Sequence, residues 1–110
     1  MNEQEPDPDE TIPFYRVNRD GLTMIVHFSE DFLSQPEKDA VVKLIEHKKE
    51  RQALEELGIG AREYRVRIQR IKARIHERGF TWPGNAHDII FSLQSLKALD
   101  VVILPDNPSS

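Results

Sequence analysis

Apolar and polar positions alternate with a period of two over residues 14–28. Tyr15, Val17, Met24, Val26 and Phe28 share one side, and Asp20-Gly21 separates the two runs. Asp-Gly between alternating runs predicts a two-residue β-hairpin turn, because glycine takes positive φ at little cost. Arms this short need another element to pack against. Ser29, Glu30 and Asp31 predict a brief turn after the hairpin.

Farther along, the period becomes helical. Ala40, Val41, Leu44 and Ile45 share one face of a first helix over about residues 36–47. Ser34 or Gln35 is its expected cap, Pro36 suits the first position, and Glu37 sits at the positive end of the helix dipole. Ala53, Leu54 and Leu57 are the apolar positions of a second helix over about residues 49–57. Gly58-Ile59-Gly60 breaks it. Tyr64, Ile68, Ile71 and Ile75 then mark a third helix over about residues 61–78, with Gly79 as its C-cap. Residues 80–84 read as a turn anchored by Phe80 and Trp82, the latter expected as a lid on the core. Asn85 can cap a fourth helix over about residues 86–99, in which Ile89, Ile90, Leu93 and Leu96 are apolar. The β-branched run at 101–104 predicts a short strand that joins the hairpin as a third member of its sheet.

The fold expected is therefore α+β: an N-terminal β-hairpin, a helix-turn-helix core of three helices, a fourth helix and a short C-terminal strand. One domain over residues 13–104 accommodates it. Residues 1–12, rich in Glu, Asp and Pro, are expected to form a disordered acidic tail, and residues 105–110 to fray.

Charge sharpens the picture in the middle of the chain. The 110 residues carry a formal net charge of −4, unevenly spread. Residues 1–45 hold ten acids and four bases, whereas residues 46–79 hold ten bases and six acids. A locally basic segment in an acidic chain is what a phosphate backbone or an acidic partner senses. Seven of those bases lie on the third helix: Arg62, Arg65, Arg67, Arg70, Lys72, Arg74 and Arg78.

Two helices joined by a tight glycine turn, the second one basic, form the pattern of helix-turn-helix DNA readers. Residues 34–79 resemble the output domains of LuxR/FixJ-type response regulators and region four of sigma factors. Glu37, Val41, Leu44 and Ile45 follow the family's arrangement in the first helix, and Leu57-Gly58-Ile59 matches its turn. Tyr64, Ile68, Ile71 and Ile75 fall where that family buries its recognition helix, and Arg62, Arg65 and Arg70 fall at positions it often uses for DNA. The resemblance implies a small DNA-binding transcriptional regulator with residues 61–78 as recognition helix and double-stranded DNA as partner. Three positions depart from the pattern. Leu54 stands where the family has a small residue, Gly60 where it has a Ser or Thr cap, and Tyr64 where it usually has Val. Both a splayed helix-turn-helix and an ordinary helical hairpin satisfy these residues.

With the apolar stripe inward, Arg62, Arg65, Val66 and Gln69 point outward near the start of the third helix. Arginine pairs with guanine and glutamine with adenine in the major groove. Arg67, Arg70, Arg74 and Arg78 make a second flank suited to phosphate contact. The alternative is a solvated helix face whose arginine stems cover the core and pair with Glu63 or Glu77. A related alternative is a non-enzymatic interaction module, an adaptor or regulatory subunit, whose basic helix meets an acidic protein. A half-site reader this small gains specificity by pairing, and residues 86–104 are the apolar surface expected to make a homodimer.

No enzyme is expected. Ser, His and Asp occur without the Gly-x-Ser-x-Gly context of a hydrolase, and Gly58-Ile59-Gly60 lacks the lysine of a phosphate loop. The chain has no cysteine, and His27, His47, His76 and His87 are scattered without metal-ligand spacing, so neither a metal nor a cofactor is expected. No apolar run approaches the roughly 20 residues that span a membrane, and the acidic start resembles neither a secretory signal nor a transit peptide. A cytoplasmic protein is the expectation.

Overall fold

The structure, a computed structural model, describes residues 14–29 and 32–104. The tails expected at 1–12 and 105–110, and the Glu30-Asp31 part of the expected turn, lie outside these residues. The chain runs β1 (Phe14–Arg19), β2 (Leu22–Phe28), α1 (Gln35–Ile45), α2 (Glu50–Leu57), α3 (Ala61–Glu77), α4 (Ala86–Ser95) and β3 (Leu99–Leu104). This is the α+β arrangement that the hydrophobic pattern predicts.

The hairpin turns at Asp20 and Gly21, both with positive φ (54° and 82°), as a two-residue turn of the primed kind requires. Val17 then faces Met24, and Tyr15 faces Val26. β3 pairs antiparallel with the other side of β2, placing Phe28 opposite Leu99 and Val26 opposite Val101. The sheet order is β1-β2-β3. Because strand side chains alternate, this register gathers Val17, Met24, Val26, Phe28 and Leu99 on one face, which the helices cover. Ile71 and Ile75 from α3, Val41 from α1, and Ile89 and Leu93 from α4 complete the core.

Ser34 caps α1 through a reciprocal box: its Oγ accepts from Glu37 N, while its own N–H donates to Glu37 Oε1 at 3.0 Å. At the other end His47 takes a left-handed conformation (φ 62°), with His47 N donating to Leu44 O and Lys48 N to Lys43 O. That pair of bonds is a Schellman close, made here without glycine. Lys97 (φ 65°) ends α4 the same way: its N–H donates to Gln94 O, and Ala98 N–H donates to Leu93 O. α4 therefore stops at Ser95 rather than near residue 99, and β3 starts at Leu99, earlier than residue 101.

α1, α2 and α3 form a helix-turn-helix-like three-helix arrangement. Gly58 (φ 68°) closes α2, its N–H and that of Ile59 both donating to Leu54 O. A Cβ at Gly58 would meet nothing within 4 Å, so the need for glycine is one of backbone conformation rather than space. Ala53, one position before the expected small residue, is fully buried, and Leu54 packs half-buried beside it. Tyr64 is accommodated in the core, where burial first and the charge of Glu50 second push its hydroxyl pKa up.

α1 and α2 are tied by charges. Lys43 Nζ reaches Glu56 at 2.7 Å and Glu46 at 3.1 Å, and Lys48 Nζ reaches Glu56 at 3.1 Å. Burial works to lower the Lys43 ammonium, but hydrogen bonds and charge from the two glutamates outweigh it and hold the group above 10.5. Hydrogen bonds from Lys43 and Lys48 hold the Glu56 carboxyl below 4.5. A depressed carboxyl contributes stability above its unfolded value and loses it as pH falls through its folded value. The wild type should therefore melt above Glu56→Gln at pH 7, with the gap closing once the pH drops below 4.5. Thermal melts of both proteins at pH 7 and well into the acid range check this. An unchanged gap would exclude Glu56 as the titrating partner.

Candidate nucleic-acid interface

α3 is long because its residues suit a helix and its stripe is well buried. Ile71 and Ile75 are fully covered, and Tyr64 nearly so. Its N-terminus lacks a side-chain cap, since Gly60 offers no acceptor. Orienting the stripe inward turns the opposite side of the helix to solvent.

On that outer side Arg62, Arg65, Val66, Gln69, Arg70 and Ala73, together with Trp82, line one open groove of about 700 Å³. Four of the seven sequence-predicted site residues, Arg62, Arg65, Gln69 and Arg70, thus come together. Arg65 also chelates Glu50 of α2, with Nε to Oε2 at 3.0 Å and Nη2 to Oε1 at 3.3 Å. Both side chains are well exposed, so the pair is worth at most about 1 kcal/mol and releases Arg65 at low cost. Among the described residues, Arg62 and Arg70 have no carboxylate partner.

Arg67, Arg74 and Arg78 turn to the other flank, toward the start of α1. Arg67 is 13% exposed, with its Nε 3.2 Å from Glu63 and its Nη1 3.5 Å from Pro36 O. Arg74 forks onto Glu37, Nε to Oε1 at 2.7 Å and Nη2 to Oε2 at 3.3 Å. The Glu37 side chain is only 3% exposed, against 42% for Arg74. The Arg78 guanidinium lies over the Phe32 ring, 4.7 Å from its centroid. Arg67 thus makes the i, i+4 pair with Glu63 that the solvated-face alternative expects. Contacts to the Pro36 carbonyl, Glu37 and Phe32, which helical periodicity does not reveal, hold α3 against α1 and the segment before α1.

Trp82 differs from the expected lid. It is 46% exposed, while the neighbouring Pro83 is buried. Its ring meets His76 edge-on at 5.6 Å, and His76 Nδ1 lies 3.1 Å from Phe80 O. The only hint in the sequence is that Trp82 stands in a Pro-Gly turn just beyond the basic helix. Beyond Trp82 lies a second depression, lined by Phe80, Pro83, Asp88 and the exposed Phe91. In the segment 86–104, Phe91, Val102 and Ile103 are the exposed large apolar residues. Among the described residues no three His, Asp or Glu side chains form a metal-holding group, and no helix is long and apolar enough to cross a membrane.

Fold and face together define a small domain built on a helix-turn-helix-like bundle with an arginine-lined second helix. No protein family matches the chain, and neither a curated protein nor a solved structure matches it.

Proposed function

We propose that the protein is a non-enzymatic, cytoplasmic DNA-binding regulator that presents the outer side of α3 to the major groove of duplex DNA. The observation that carries this is the convergence of Arg62, Arg65, Gln69 and Arg70 on one exposed face of the second helix of the pair. Arg62, Arg65 and Gln69 stand where a recognition helix meets base edges, and Arg70 stands at the flank where a phosphate runs. A homodimer through residues 86–104, a segment that exposes Phe91 on α4, would present two such helices to two half-sites. The likeness of residues 34–79 to LuxR/FixJ-type output domains and sigma-factor region four supports the same function.

Three arginine charges brought against the duplex, two at base edges and one at a phosphate, displace about three counterions and give a salt slope near −2.7, so affinity should fall roughly fortyfold between about 50 and about 200 mM salt. Polarisation of a labelled duplex at those two concentrations measures it. An absence of salt-dependent duplex binding would reject DNA as the partner.

One observation favours a protein partner instead. The lining of the α3 groove is mostly apolar, with Val66, Ala73 and Trp82 among the arginines, and exposed Phe91 lies in the adjoining depression. Aromatic and arginine side chains around an apolar centre also make protein hot spots. An acidic helix bound through the same arginines, with no affinity for duplex, would establish this second function.

A further inference from the structure

We infer that Trp82 is a second DNA contact, gripping the sugar–phosphate strand that borders the groove entered by α3. This inference rests on duplex recognition by α3. The indole shares the α3 groove with Arg62, Arg65, Gln69 and Arg70, and it is half exposed. None of the hydrogen bonds among the described residues uses its Nε1–H, and the half-exposed indole lies beside an arginine-lined wall.

The loop that carries Trp82 is fixed at both ends. His76 meets Phe80 O before it, and Pro83 is buried after it. Gly84 N then donates to Asp88 Oδ2 at 3.1 Å, and Asp88 N donates to Asn85 Oδ1 at 2.9 Å. A stiff loop loses little conformational freedom when its side chain binds, which favours a contact residue there. Charge decides which side of the ring the strand occupies. The far side of Trp82 is lined by Asp88, which repels phosphate, whereas the near side is lined by arginines. A strand laid along the arginine side meets the indole with both of its components: the N–H donates to a phosphate oxygen, and the ring packs on a deoxyribose.

Trp82 is the only tryptophan in the chain, so tryptophan emission reports the surroundings of that one side chain. Titrating the wild type with duplex should change the emission in step with the polarisation of the labelled DNA. Trp82→Phe keeps a ring against His76 but loses the donor, and should weaken binding about tenfold, the worth of one hydrogen bond to a charged group. Because the indole is neutral and phosphates carry no sequence, the loss should be equal for all duplexes and leave the salt slope unchanged. Duplex binding with unchanged wild-type emission, or a Trp82→Phe protein of full affinity, would overturn the contact while leaving DNA recognition by α3 intact. Failure of the wild type to bind any duplex would overturn both.

Discussion

Glu37→Ala should destabilise the fold by about 2–4 kcal/mol, measured by urea denaturation against the wild type. One carboxylate serves two elements here. Its Oε1 accepts from Ser34 N, closing the first turn of α1, and its two oxygens accept the fork of Arg74 from α3. Removing it leaves the Ser34 N–H without its acceptor and a guanidinium without its counter-charge. Breaking one side of a buried pair costs about 3–5 kcal/mol when both partners are buried. Arg74 reaches solvent and can rehydrate, which moves the expectation below that range. Glu37→Gln keeps an acceptor for Ser34 N–H and should lose less. A loss under about 0.5 kcal/mol for Glu37→Ala would mean that the pair is no more than a surface contact.

The second large effect concerns binding. Arg62→Glu combined with Arg70→Glu should reduce duplex affinity at least about a hundredfold, since two favourable contacts become two repulsions. Both side chains are exposed and lack a carboxylate partner among the described residues, so the double variant should keep its melting temperature. The salt slope should fall by about two units, one for each arginine lost. The same double reversal at Arg67 and Arg74 would unsettle the fold instead, because those arginines serve Glu63, Pro36 and Glu37. Unchanged affinity for the Arg62 and Arg70 pair would move the binding face off α3.

The contrast between those two pairs of arginines marks the reach of the sequence. Period-two alternation and Asp20-Gly21 are enough for the hairpin and its inward face, and Tyr64, Ile68, Ile71 and Ile75 orient α3, although Ile68 is only partly buried. Orientation of one helix says which residues leave the core, but not what another element brings beside them. Helical spacing offers Glu63 to Arg67, but the other partners of Arg67, Arg74 and Arg78 exist only once the start of α1 supplies Glu37, the Pro36 carbonyl and the segment carrying Phe32. Glu37 itself reads as a helix-start residue, and its second role needs the α1–α3 packing to exist. Helix ends were legible where glycine marks them, as at Gly58, and illegible at Lys97, where a lysine adopts the left-handed close. Trp82 departs from the expected lid for a related reason: a large apolar side chain next to proline suggests a lid, yet here Pro83 takes the buried place.

Recognition of duplex DNA by the outer face of α3 is tested most directly by amide chemical-shift mapping during a duplex titration. Perturbations should concentrate at Arg62, Arg65, Val66, Gln69 and Arg70, extend to Trp82, and spare the outer face of the sheet at Arg16, Asn18 and Thr23. Perturbations centred on the sheet or on α4, with α3 unmoved at saturating duplex, would contradict it.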